Sequence, residues 1–140
     1  MKVKEKFKPT IGFIGAGNMG LPMVKNLVQK GFQVKVFDIN PKITKKLEKE
    51  NIKSVNNLRA VASNQFIISI LPDTQNVESV FNTDTGINSY LKPGTIVVDM
   101  STISSSSAIE IGKNLQKKQI EFLDAPVSGG VKGALNANLS

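Results

Sequence analysis

The stretch Ile11-Gly12-Phe13-Ile14-Gly15-Ala16-Gly17-Asn18-Met19-Gly20 decides the fold. Residues 10–14 are mostly apolar and read as a strand. A G-x-G-x-x-G pattern follows at once, and then Leu21, Val24, Leu27 and Val28 recur at helical spacing. A strand that turns through glycines into a helix leaves the helix N-terminus open at the strand's C-terminal end. Unpaired N–H groups and a partial positive charge collect there. A dinucleotide's pyrophosphate can bind such a backbone provided no side chain stands in the way. In this reading Gly15 makes the tight turn, Gly17 lets the phosphates approach and Gly20 lets the helix pack closely on the strand. A bare glycine pattern also fits an ordinary turn, so the flanking chain has to supply the context.

Working outward, strand and helix patterns alternate. A first helix is expected over residues 18–30, with Pro22 tolerated in its first turn and Gly31 as its stop. A second strand covers 33–38. Asn40 caps the next helix with Pro41 at its first position, and Ile43 and Leu47 share a face. That helix lacks a glycine stop and is expected to fray into Asn51. A helical turn at 57–62 leads into a third strand at 66–71, whose near-continuous apolar run suits burial on both sheet faces. Pro72 ends it. One or two helical turns follow at 76–81, then turns at Asp84-Thr85-Gly86 and Lys92-Pro93-Gly94. A fourth strand at 95–99 precedes a helix capped by Ser104 or Ser105 and carrying Ala108, Ile111 and Leu115. A fifth strand covers 121–123. This alternation predicts right-handed crossovers and an α/β, doubly wound parallel sheet of the Rossmann type. Such sheets bind ligands beyond the C-terminal ends of their strands, where the glycine-rich and polar stretches of this chain fall.

Composition narrows the chemistry. At 140 residues the chain suits one compact domain, read as a basic extension at 1–9 and a nucleotide-binding domain at 10–140. There is no cysteine and no histidine, which excludes disulfides, thiolate nucleophiles and histidine acid–base chemistry. The net charge is +7, nearly all from lysines scattered among acids and apolar residues. With one tyrosine, no tryptophan and a single arginine, Arg59, there is no nucleic-acid platform. No apolar run reaches the ~18 residues of a membrane span. The amino-terminal residues lack the features of a secretion or transit signal. Expected partners are therefore small molecules, with neither nucleic acid nor membrane, in the cytoplasm (or the mitochondrial matrix of a eukaryote).

Asp38 closes the second strand eighteen residues after Gly20. Its carboxylate can accept hydrogen bonds from a ribose diol; the competing reading is a turn or capping residue. A 2′-phosphate about 5 Å away would be opposed by roughly 3 kcal/mol per unit charge at an effective dielectric near 20. No arginine follows to offset this, so NAD is expected over NADP, with Lys42 the one counter-argument. The loop Leu71-Pro72-Asp73-Thr74-Gln75-Asn76 lies over the expected cofactor path. Thr102, after the fourth strand, can donate to a ribose or amide, or serve only as a helix entry. Ser128-Gly129-Gly130 offers a hydroxyl and glycine N–H groups that suit a carboxylate, or form only a flexible turn. No general acid–base is evident. Lys132 is the lysine nearest the second glycine cluster, and no lysine is placed by sequence in an apolar pocket.

Together these residues resemble a known family. Residues 11–23, with Lys25-Asn26-Leu27, look like the opening signature of the β-hydroxyacid dehydrogenases. Asp124-Ala125-Pro126-Val127-Ser128-Gly129-Gly130-Val131, with Gly133-Ala134, looks like that family's substrate signature. Asp38, Leu71-Pro72, Ser101-Thr102 and Asn138-Leu139 are similar to its 3-hydroxyisobutyrate-oxidising branch. Ala16 and Ala137 depart from the family's usual leucine and glycine. The resemblance implies reversible, NAD-dependent oxidation of a 3-hydroxy acid to its semialdehyde. It implies cofactor contacts from Gly15, Ala16, Gly17, Asn18, Met19, Gly20, Asp38, Leu71, Pro72, Asn76 and Thr102. It implies a substrate carboxylate held by Ser128, Gly129 and Gly130.

The family's catalytic lysine, a neighbouring asparagine and most subunit contacts lie in a helical second domain. That domain is not among these residues, so no catalytic residue is expected in this chain and the parent enzyme is expected to be a homo-oligomer. A sixth strand barely begun at Leu139-Ser140 would leave the fifth strand with a bare edge, predicting a mobile tail or pairing between chains. The open alternatives are a non-catalytic nucleotide-binding or sensing module, a methyltransferase, and relatives reducing glyoxylate, succinic semialdehyde or tartronate semialdehyde.

Overall fold

The structure is a computed structural model that describes residues 8–81 and 84–140; residues 1–7, most of the basic extension, lie outside it. Five strands form one parallel sheet: β1 Thr10–Ile14, β2 Gln33–Phe37, β3 Phe66–Ser69, β4 Ile96–Asp99 and β5 Glu121–Asp124. Their spatial order is β2-β1-β3-β4-β5. An isolated parallel bridge between Val36 and Ser54 lies beside β2, where a further strand would extend the sheet. Among the described residues six helices connect or follow the strands: α1 Gly20–Gln29, α2 Pro41–Lys49, α3 Leu58–Ala62, α4 Thr74–Val80, α5 Ser105–Gln116 and α6 Gly130–Leu135. A 3-10 turn at Ile87–Ser89 lies between α4 and β4.

Period-two side-chain alternation splits the apolar residues between two faces. Ile11, Phe13, Val34 and Val36 pack with Leu21 and Val24 of α1 and Leu47 of α2. Ile14, Ile67 and Val97 pack on the other face with Val61, Val77, Ile111 and Leu115 of α3, α4 and α5. Each fully buried side chain of this size contributes about 1.5–3 kcal/mol. The strand ends are level: Ile14 is in register with Phe37 and with Ser69, Ser69 with Asp99, and Asp99 with Asp124. Everything that follows these residues therefore emerges on one edge, with β1 and β3, whose connections leave on opposite faces, at its centre.

Most boundaries move by only a few residues from expectation, and local bonds explain the shifts. The third strand stops at Ser69, because Leu71 N–H leaves the ladder to donate to Ser101 Oγ at 2.8 Å. The helix expected at 76–81 starts at Thr74, since Asp73 caps it by accepting from Asn76 N–H at 2.9 Å. α2 does not fray: Asn51 takes a left-handed φ of 57°, and Ile52 N–H donates to Leu47 O at 3.0 Å.

The larger difference is α6, where only a turn was expected. It begins at Gly130 and packs on α1, where Asn26 Nδ2–H donates to Ala134 O at 2.7 Å. The tail then folds back. Ser128 and Ser140 exchange a pair of backbone bonds at 2.7 and 3.0 Å, and Leu139 lies against Gly129 and Gly133. These contacts dock the tail, where a beginning sixth strand with a mobile tail or pairing between chains was expected; Leu139-Ser140 form no strand.

Candidate functional site: a cleft at the strand ends

The glycine turn is shaped by close approach. Gly15 has φ +92°, and a Cβ there would overlap the carbonyl oxygen of Ile70. A Cβ at Gly20 would overlap the carbonyl oxygen of Gly15. Gly17 differs: it is exposed, and a Cβ there would meet nothing within 4 Å. Gly15 and Gly20 are thus required by the fold, while Gly17 leaves space in front of the turn open.

Helix caps separate α1 from most of its neighbours. Asn40, Asn57, Asp73 and Ser104 each cap a helix by accepting a backbone N–H. At α1 the capping position is Met19, with no side-chain bond and no acidic residue in the first turn. Its donors and its positive dipole end are left for something else.

In front of that turn lies a cleft of about 470 Å³. It is lined by Gly15 and residues 17–20, by Asp38, and across the gap by Leu71, Pro72 and Asn76. Nine of the eleven expected cofactor residues therefore share one cavity. Ala16 is buried behind the turn and contributes its N–H, which donates to Asp38 Oδ2 at 2.8 Å. Asp38 Oδ1 accepts from Asn40 N–H at 2.8 Å. The turn role and the cleft role of Asp38 thus coexist: both oxygens are oriented by backbone, and the half-buried carboxylate still faces the cleft.

Thr102 is exposed after β4 and does not line this cleft. Ser128, Gly129 and Gly130 are also exposed and lie apart from it, at the start of α6. Gly129 and Gly130 both have positive φ, at 123° and 59°. Sequence reasoning passed over Ile39, which is 90% exposed on the rim, and Ser79 and Val80 of α4 on the wall. Ile39 carries a usable signal, an isoleucine immediately after the strand-ending acid.

It also passed over a buried polar cluster behind the cleft wall. Asp99 is fully buried at the end of β4. Its Oδ1 accepts from Ser69 Oγ at 2.7 Å, Ser101 Oγ at 2.7 Å and Ser101 N–H at 3.3 Å, while its Oδ2 has no partner. Burial raises the Asp99 pKa above the ordinary carboxylate value, against the opposing pull of the two serine hydroxyls. Asp73 goes the other way: the Asn76 backbone N–H, then the Asn76 side chain, hold it below that value. The signal for the cluster was a polar residue closing each of two apolar strands, Ser69 and Asp99. Among the described residues no three potential ligands gather to hold a metal ion, and no helix is long and apolar enough to cross a membrane.

The arrangement suits a dinucleotide. An uncapped helix end, an unobstructed glycine and an oriented carboxylate border one cavity, and a basic chain supplies a favourable field for an anion. Comparison with known proteins agrees. The chain is 37% identical over 134 residues to the mitochondrial 3-hydroxyisobutyrate dehydrogenase of Mus musculus, covering 95% of this chain and 40% of that protein. It is 41% identical over 125 residues to 2-(hydroxymethyl)glutarate dehydrogenase of Eubacterium barkeri, covering 89% and 42%. The structure of Mycobacterium tuberculosis 3-hydroxyisobutyrate dehydrogenase with L-serine superposes with a TM-score of 0.87 at 36% identity, covering 95% of this chain and 45% of that one. The chain thus spans less than half the length of these relatives. Residues 10–140 match the family described as the NAD binding domain of 6-phosphogluconate dehydrogenase, and the chain belongs to that family.

Proposed function

We propose that this chain is the cofactor-binding part of an oxidoreductase that reversibly oxidises a 3-hydroxy acid of the 3-hydroxyisobutyrate type to its semialdehyde. The observation that carries the reading is the single cleft joining the uncapped, glycine-led end of α1 to Asp38 and the 71–76 loop. Bound NAD supplies the hydride acceptor. The open N–H groups at the start of α1 hold the pyrophosphate, with Gly17 keeping their approach clear. Asp38, oriented by Ala16 and Asn40, accepts from a ribose diol and disfavours a 2′-phosphate, so the cofactor is NAD before NADP. Leu71, Pro72 and Asn76 close the opposite wall. Thr102 adds a donor beyond β4, and Ser128, Gly129 and Gly130 hold the substrate carboxylate. We assign the proton transfer to no residue of this chain, and substrates other than 3-hydroxyisobutyrate in the same class fit this reading equally.

A fluorescence titration with NADH and NADPH tests the reading, with 3-hydroxyisobutyrate oxidation assayed alongside. Saturable NADH binding, at least about tenfold weaker NADPH binding and no turnover are expected. Absence of NADH binding overturns the cofactor assignment. Robust turnover overturns the placement of the proton relay. A non-catalytic nucleotide-sensing module shares all three outcomes, and is separated by whether the isolated chain binds 3-hydroxyisobutyrate once NAD is present.

A further inference from the structure

Three polar ties join the segment that walls the cleft to the segment behind it. Leu71 N–H donates to Ser101 Oγ at 2.8 Å. Ser104 N–H donates to Thr74 Oγ1 at 3.0 Å. Ser107 Oγ donates to Glu78 Oε1 at 2.5 Å. Residues 71, 74 and 78 are thus held in step by 101, 104 and 107, from the strand end through the first turn of α5. The first tie differs from the others in being backed by a fully buried carboxylate. Ser101 is 1% exposed, and its hydroxyl donates to the fully buried Asp99, which also accepts from the Ser69 hydroxyl of β3. Placing a carboxyl group in the core between two apolar strands is costly unless its bonds are used. Here every bond converges on Oδ1, and the path leads outward to a single backbone N–H at the start of the 71–76 loop.

We infer that Asp99 and Ser101 are positioning residues for the dinucleotide: Asp99 orients the Ser101 hydroxyl, which fixes Leu71 N–H and so sets the cleft wall at Leu71, Pro72 and Asn76. This rests on the reading that the cleft takes NAD. Neither residue lines the cleft. Their effect runs through backbone geometry, as outer-layer hydrogen bonds orient the groups that do the binding. Asp99→Asn keeps the Oδ1 acceptor and should preserve the wall. Asp99→Ala and Ser101→Ala should release it.

The test uses the 140-residue chain, at a temperature well below the melting midpoint of every variant, so that only folded protein is compared. NADH dissociation constants are measured by fluorescence, and exchange of the Leu71 amide proton by NMR. Ser101→Ala and Asp99→Ala are expected to weaken NADH binding about tenfold and to speed Leu71 exchange by at least as much. Asp99→Asn is expected to stay within about threefold of wild type in both.

A structural role alone would lower the melting temperature and leave the NADH constant of the folded variants unchanged, and that result overturns the inference. Equal losses in Asp99→Asn and Asp99→Ala overturn it as well. Wild-type chain that fails to bind NADH sinks the cofactor reading instead, while the Leu71 exchange rates still decide the positioning path. Should the alanine variants not fold, the wild-type chain decides. Leu71 must then be as protected as Ile70, whose N–H donates to Ile14 O at 3.0 Å in the sheet, and exchange at the rate of an open loop amide counts against the path.

Discussion

Among the described residues two helices begin at a glycine cluster and lack a side-chain cap, α1 and α6, and their surroundings differ. At the first cluster two glycines are forced by backbone contact, and the third, Gly17, is free of any neighbour. The helix that follows has ten residues, and its open end faces the cleft. At the second cluster Gly129 and Gly130 have positive φ, and a Cβ at Gly133 would crowd the Leu139 side chain at 3.0 Å. The helix that follows has six residues and is held by Asn26. A long open helix beside a cavity has the geometry that suits an anion. A short one, pinned from the side, is first a corner in the chain. Composition is nearly the same in both, and the difference lies in what surrounds each glycine.

The comparison breaks most directly at Gly15. Gly15→Ala meets both a left-handed φ and the Ile70 carbonyl, so it is expected to cost about 3 kcal/mol or more, a large share of a domain's stability. Urea unfolding measures this. A loss under 1 kcal/mol would mean the turn relaxes and is not forced.

A matched pair gives the next largest effect. Gly17→Ala should leave the melting temperature within about 2 °C of wild type, because the added methyl meets nothing, yet weaken NADH binding about tenfold or more by filling the phosphate approach. Gly130→Ala should do the reverse, costing about 1 kcal/mol through its φ of 59° and leaving NADH binding unchanged. Thermal melts and NADH titrations of the two variants check both halves. If the effects were exchanged, α6 and not α1 would hold the anion.

The first cluster and the sheet beneath it were legible in the sequence because local signals agreed there. Strand period, glycine spacing and the helical face of Leu21, Val24 and Leu27 all pointed to one geometry, and Asp38 stood at the expected distance. α6 was not legible. Gly130 and Gly133 lower its intrinsic helix propensity, and the helix exists because Ala134 is buried, Asn26 reaches its carbonyl and Leu139 fills the space beside Gly133. Those are contacts across 108 residues in one case and a returning tail in the other, and no short window carries them. The Ser69–Asp99–Ser101 cluster was hidden for the same reason. Ser69 and Asp99 are ordinary strand ends, Ser101 is an ordinary loop serine, and the cluster exists only once β3 and β4 are in register.

That cluster lies on the sheet row running from Ile14, next to the first glycine cluster, to Asp124, before the second, and it gives the smallest predicted effect. Asp99 has its folded-state pKa raised by burial. Below the ordinary value of 3.8 the carboxyl is protonated both folded and unfolded, and it adds no pH dependence. As pH rises above that value the unfolded chain loses the proton first, so it binds fewer protons than the folded chain and stability falls. The fall ends once pH passes the raised folded value. Asp73, whose pKa is lowered, acts in the opposite sense: its contribution is present above 3.8 and lost as pH falls through its folded value. Asp73 is common to wild type and Asp99→Asn, so it cancels in their difference. The melting temperature of wild type minus that of Asp99→Asn should therefore decline from acid pH upward and then level off. A difference that stays flat across that range would mean Asp99 ionises as readily folded as unfolded, and that the sheet row between the two glycine clusters is wetter than its burial implies.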